Sequence, residues 1–134
     1  MGTWGCGPWD NDGALDWAGD LRAQHGWGPV DDALAAAIGE GYVDLETCEQ
    51  AVAAIDVVAA ALGAPSGDLP DEVRAWSVEH AASLEAALVR RAREALATVL
   101  EDSEMVELWE RAPGAEEWQA AMADLESRLV AAAG

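Results

Sequence analysis

Asp56 is the residue whose surroundings most demand a chemical account. It sits in the run Ile55-Asp56-Val57-Val58-Ala59-Ala60. Its neighbours one helical turn away are Val52, Ala53, Ala59 and Ala60, and none carries a base. A carboxylate buried without a partner is costly. The groups that could pair with it are an arginine from Arg90, Arg91 and Arg93, a tryptophan N–H, or backbone N–H groups of the glycine-rich N-terminal segment. The expectation is that Asp56 ties down that segment, which carries Trp4 and Trp9. The alternative is a general acid or base in a small-molecule or hydrolase site between the segment and the helix at 44–62.

Other side chains could do chemistry if the fold gathered them. Asp10, Asn11, Asp12 and Asp16 place four oxygen-bearing groups within seven residues. A calcium loop needs acids at its first, third and fifth positions before its glycine. With Gly13 as that glycine, Asp10 and Asp12 fit, but Pro8 falls at the first position. The cluster therefore reads as an N-cap, with Asn11 or Asp12 opening a helix. Cys6, His25, Cys48 and His80 contain no close Cys-x-x-Cys or His-x-x-x-His pair, the spacing a zinc site favours. Cys48 reads as a core residue and His25 as a helix-end residue. Cys6 has no base beside it to make it a nucleophile. No metal and no cofactor is expected.

Arg90, Arg91 and Arg93 hold three of the seven basic charges within four residues. They read as helix ion pairs, Arg90 with Glu94 among them, or as an anion pocket. The seven tryptophans read mostly as core, because each buries a large area in a chain rich in small residues. Trp27, flanked by Gly26 and Gly28, is the candidate for an exposed contact.

These groups need elements to position them, and composition limits the choice. The chain has 134 residues, the length of one domain. It carries 26 acids against seven arginines, with no lysine, for a formal charge of −19. Nucleic-acid binding needs a basic stripe, which this balance does not supply. The same field repels anionic membranes. The missing lysine removes Schiff-base chemistry and the lysine of a phosphate loop. No apolar run is long enough to span a bilayer, and MGTWGCGPWDND has no positive region before an apolar core. Two cysteines suit a reducing compartment, so the expected location is the cytoplasm.

Periodicity then predicts an all-α single domain of six or seven helices, with an irregular Gly/Trp-rich arm over 1–10 and helices over 11–134. The first helix carries Ala14, Trp17, Ala18 and Leu21 on one stripe and ends at Gly26 and Gly28. Pro29 opens the second, which Gly39 and Gly41 stop. Asp44 caps the third, whose stripe is Leu45, Cys48, Val52, Ile55, Ala59 and Leu62 before Gly63 and Pro65. Pro70 opens the next, with Val73 and Trp76 inward. Ser83 caps a helix with Leu84, Leu88, Ala92, Ala95 and Val99. Ser103 caps a short one with Met105, Leu108 and Trp109. Pro113-Gly114 precedes the last, with Trp118, Met122, Leu125 and Leu129.

The opening MGTWGCGPWDNDGALDW resembles a bacterial family, domain-of-unknown-function family 4259. Its members begin Met-Gly-x-Trp-Gly-x-Gly-Pro-(Phe or Trp)-x-Asn-Asp-x-Ala-x-Asp. The likeness continues in QAVAAIDVVAAALGAP at 50–65, LPDEVRAW at 69–76, SEMVELW at 103–109 and Trp118. Cys6 stands where the family has Thr or Ser. The resemblance implies a bacterial cytoplasmic protein and brings no activity with it.

Charge supplies the remaining expectation. A strongly acidic field speeds association with a basic surface. The chain reads as a non-catalytic interaction protein, immunity- or antitoxin-like or an adaptor, with a basic protein as partner.

Overall fold

The computed structural model describes residues 7–24, 26–39 and 42–133. Among them are seven α-helices and no strand, packed as one all-α bundle. Trp4, Cys6 and His25 lie outside the described residues.

Helix α1 spans Asp12–Arg22. Asn11 caps it: its Oδ1 accepts from the Ala14 N–H at 2.7 Å. Ala14, Trp17, Ala18 and Leu21 are buried. The helix stops at Arg22, short of the glycines expected to end it. The Ala23 N–H donates to the Gly19 carbonyl and the Gln24 N–H to that of Leu21, each at 3.2 Å, so the last turn closes on ordinary right-handed backbone without a glycine. Gly28 instead opens α2 (Gly28–Ile38), with Pro29 in its first turn.

Helix α3 (Leu45–Ala61) is the centre of the molecule. It packs against α1, α2 and all four helices that follow it. Residues 51–60 are all buried, so alanine is the residue that lets neighbours approach on every side. Asp44 occupies the cap position, but its side chain accepts no capping bond. That role passes to Glu104, whose Oε1 accepts from the Leu45 N–H at 2.7 Å. A carboxylate at a helix N-terminus is favoured from whichever segment it arrives. At the other end, the Ala64 N–H reaches the Ala59 carbonyl and the Gly63 N–H reaches that of Ala60, both at 2.9 Å. This is a Schellman turn, and Gly63 takes the positive φ of 96° that it requires.

Helix α4 (Asp71–His80) runs into a 3-10 turn at Ala81–Ser83. Helix α5 (Ala86–Glu101) is capped in position by Glu85 rather than Ser83. The Ser83 hydroxyl is engaged elsewhere, donating to the His80 carbonyl at 2.9 Å. Leu84 therefore precedes the helix and is half-buried, while Leu88, Ala92, Ala95, Leu96 and Val99 face the core.

Helix α6 (Glu104–Glu110) begins at Ser103, whose hydroxyl accepts from the Val106 N–H at 3.2 Å. Its buried residues are Met105 and Val106, and Leu108 faces outward. Two turns of helix are too short for periodicity to fix which face turns inward. A parallel bridge joins Val43 to Ser103, so the start of α6 rests on the chain entering α3. Helix α7 (Ala115–Ala133) follows Gly114, at φ +95°, and buries Trp118, Met122, Leu125 and Leu129.

Candidate functional site

Asp56 is wholly inaccessible to solvent, as the middle of a helix packed on all sides requires. Its Oδ2 accepts from the Trp9 indole N–H at 2.7 Å and from the Ser66 hydroxyl at 2.8 Å. Its Oδ1 accepts from an Arg128 Nη at 2.7 Å. The same nitrogen donates to the Ala64 carbonyl at 2.8 Å, and Arg128 Nε donates to Asp124, one turn back on α7, also at 2.8 Å. Burial alone would lower the Arg128 pKa; the hydrogen bonds to Asp56 and Asp124 and the charges of those two carboxylates together outweigh it and hold the guanidinium above its ordinary value.

Each partner is placed by a different element. The Schellman turn after α3 folds the chain back so that Ala64 and Ser66 flank Asp56. Trp9 arrives from the segment before α1, whose turn is closed by the Asp10 N–H to the Gly7 carbonyl and by the Gly7 N–H to the Asp10 carboxylate. Arg128 comes from α7. One carboxylate thus joins the N-terminal segment, the central helix, the loop after it and the last helix. The arrangement offers a substrate no approach to Asp56, and its chemistry is that of a tie between segments.

A second acid lies nearby. Glu49 on α3 is buried, with its carboxylate against the first turn of α1. A Cβ built at Gly13 would lie 2.5 Å from Glu49 Oε1. Gly13 is therefore a close-approach glycine, not merely a weak helix former. The space between the N-terminal segment and α3, lined by Asn11, Glu49, Trp109 and Trp118 among others, amounts to about 20 Å³. That is room for roughly one water molecule.

The remaining candidates scatter. Asn11 is spent on its cap, and Asp12 is exposed at the start of α1. Among the described residues no group of three His, Cys, Asp or Glu side chains converges as a metal site. Cys48 is buried, and burial pushes its thiol pKa up. Arg91 pairs with Asp31 of α2 on the surface. No Arg90–Glu94 bridge forms among the described residues; an acid following the base by four positions is the weaker orientation on a helix. Trp27 is half-buried rather than displayed: its indole N–H is shared between the His80 carbonyl and Ser83 Oγ, and its ring meets Trp76 edge-on at 4.9 Å. Trp76 in turn stacks on His80.

The family model described as a domain of unknown function, DUF4259, matches residues 2–121. The chain belongs to the DUF4259 family. No curated protein and no solved structure matches it. Trp9, Asp56 and Ser66 lie within the span of the DUF4259 match, and Arg128 lies beyond its end.

Sequence reasoning alone misses Arg128, Ser66 and Glu49. Asp124, four residues before Arg128, makes that arginine look like half of an ordinary surface pair. The one signal for Glu49 is Gly13, a glycine in the first turn of an otherwise well-capped helix.

It also misses an exposed patch at α6. Tyr42 and Leu108 are 59% and 47% exposed. The Tyr42 hydroxyl donates to Glu107, and Glu104 and Asp102 add their fields. The hydrogen bond to Glu107 is the largest of the effects that push the Tyr42 pKa up to about 12.

Proposed function

We propose that this protein is a non-catalytic interaction protein that binds a basic protein partner through the surface around α6. The observation that carries this reading is the pairing of exposed apolar groups, Tyr42 and Leu108, with a local surplus of acid. Residues 101–110 contain Glu101, Asp102, Glu104, Glu107 and Glu110 and no base. An apolar centre with a charged rim is the usual anatomy of a protein interface. The acidic rim steers and selects a basic partner, such as a nuclease-like toxin or a DNA-binding protein. Immunity, antitoxin and adaptor roles all fit this chemistry. Two further features favour binding over catalysis: the carboxylate of Asp56 is buried against its partners, and among the described residues the space between the N-terminal segment and α3 amounts to about 20 Å³. A bacterial cytoplasmic setting accompanies the reading, supported by the sparse cysteines and the family resemblance. No helix among the described residues is long and apolar enough to cross a membrane.

The test is capture from lysate of the native host at low and at raised salt. A basic protein retained at low salt, released at high salt, and lost with Leu108→Ser or with Glu104→Gln/Glu107→Gln supports the proposal. Retention that ignores both salt and these substitutions refutes it.

A further inference from the structure

The arginines of α5 pose a separate question. In a chain with 26 acids, each of only seven arginines would be expected to find a carboxylate. Arg91 and Arg128 do, whereas Arg22, Arg74, Arg90, Arg93 and Arg111 form no ion pair among the described residues. Arg90 and Arg93 make no ion pair or hydrogen bond among the described residues. Both stand, exposed, along one groove of about 410 Å³ between the end of α3 and the first half of α5. Its other walls are apolar, chiefly Leu62, Leu84 and Val89, and no acid lines it. Positions 86, 89, 90 and 93 share one face of α5, so the helix itself sets Ala86 and Val89 beside the two guanidinium groups.

We infer that this groove binds a small amphiphilic monoanion, a carboxylate with an aliphatic tail of medium length. The guanidinium groups of Arg90 and Arg93 take the carboxylate, which suits their planar donors. The tail lies on Leu62, Leu84 and Val89. The groove is open to solvent along its length, so the ligand lies against one wall and is not enclosed. The charge of −19 argues for a small occupant over a large one: an acidic protein or an anionic bilayer brings many charges into the repelling field, whereas a single carboxylate brings one. The same argument ranks a monoanion above a doubly charged phosphate ester. This groove is lined by none of the residues of the α6 patch, so the inference stands apart from the proposed partner surface.

The probe is sodium decanoate, titrated below its micelle threshold into the full chain and followed by calorimetry and amide NMR. Saturable binding is expected, with the largest shifts at Leu62, Leu84 and Val89. Decanol, which lacks the charge, and acetate, which lacks the tail, should each bind at least about tenfold more weakly. Arg90→Gln and Arg93→Gln, both at exposed positions, should each weaken decanoate about tenfold while leaving the melting temperature unchanged. Ala86→Asp places an acid in the first turn of α5, where the helix tolerates it, and should abolish binding. Equal binding of decanol and decanoate, or binding indifferent to all three variants, would overturn the inference. So would sedimentation showing that a second copy of the chain fills the groove and that Arg93→Gln releases it.

Discussion

The Arg128 guanidinium and the Asp56 carboxylate meet at 2.7 Å across 72 positions of chain. Asp56 is fully buried at this contact and Arg128 nearly so, at 0% and 17% side-chain exposure. Trp9 and Ser66 also donate to this carboxylate. Breaking a buried pair from one side is expensive because the other charge stays behind. Arg128→Met should therefore destabilise the protein by about 3–5 kcal/mol. Asp56→Ala should cost a similar amount, and the double variant less than the sum of the two. Urea unfolding followed by tryptophan fluorescence measures all three. Strict additivity would mean the contact carries no coupling.

Gly13→Ala offers a test with an unusual sign. Alanine in a helix ordinarily gains about 1 kcal/mol over glycine. Here the new methyl would lie 2.5 Å from Glu49 Oε1 and 3.3 Å from Glu49 Cβ, in a buried setting. The substitution should destabilise by about 1 kcal/mol or more, as overpacking does. In a Glu49→Ala background the same change should become stabilising. A gain in stability in the wild-type background would show that Glu49 moves aside freely.

The single tyrosine makes the α6 patch readable by absorbance. The hydrogen bond to Glu107 raises the Tyr42 pKa to about 12. Phenolate formation near 295 nm should therefore begin well above the ordinary value of 10.0 and move back toward it in Glu107→Gln. A folded pKa above the unfolded one means the stabilisation is complete below pH 10 and is lost as pH rises toward 12. An ordinary titration in the folded protein would break the proposed link between Tyr42 and Glu107.

Cys48 should be inert in the native state. It is buried, and burial raises its pKa, so the thiolate is scarce where reagent cannot reach. With Cys6 replaced by serine, iodoacetamide at pH 8 should modify Cys48 only as fast as the protein opens, and quickly in urea. Rapid native labelling would place the thiol at the surface.

Much of this fold is legible in the sequence because its punctuation is strong. Asn11, Pro29, Pro70, Ser103 and the pair Pro113-Gly114 mark ends that local chemistry alone fixes. Asp56 is legible for the same local reason: one acid among valines and alanines needs a partner, and a tryptophan N–H is among the donors that chemistry allows. What is not legible is long-range. Nothing near Arg128 says that α7 lies beside α3, and nothing near Asp44 says that Glu104 takes over its cap. The outward turn of Leu108 is hidden because α6 is only seven residues long.

The route of synthesis gives the Asp56 tie one more consequence. Asp56 leaves the ribosome 72 residues before its cation does. At about 5–20 residues per second this is an interval of roughly 4–14 s. Throughout it, the run at 51–60 that is buried in the folded chain carries a carboxylate whose guanidinium has not yet been made, and burying that carboxylate without its cation is costly.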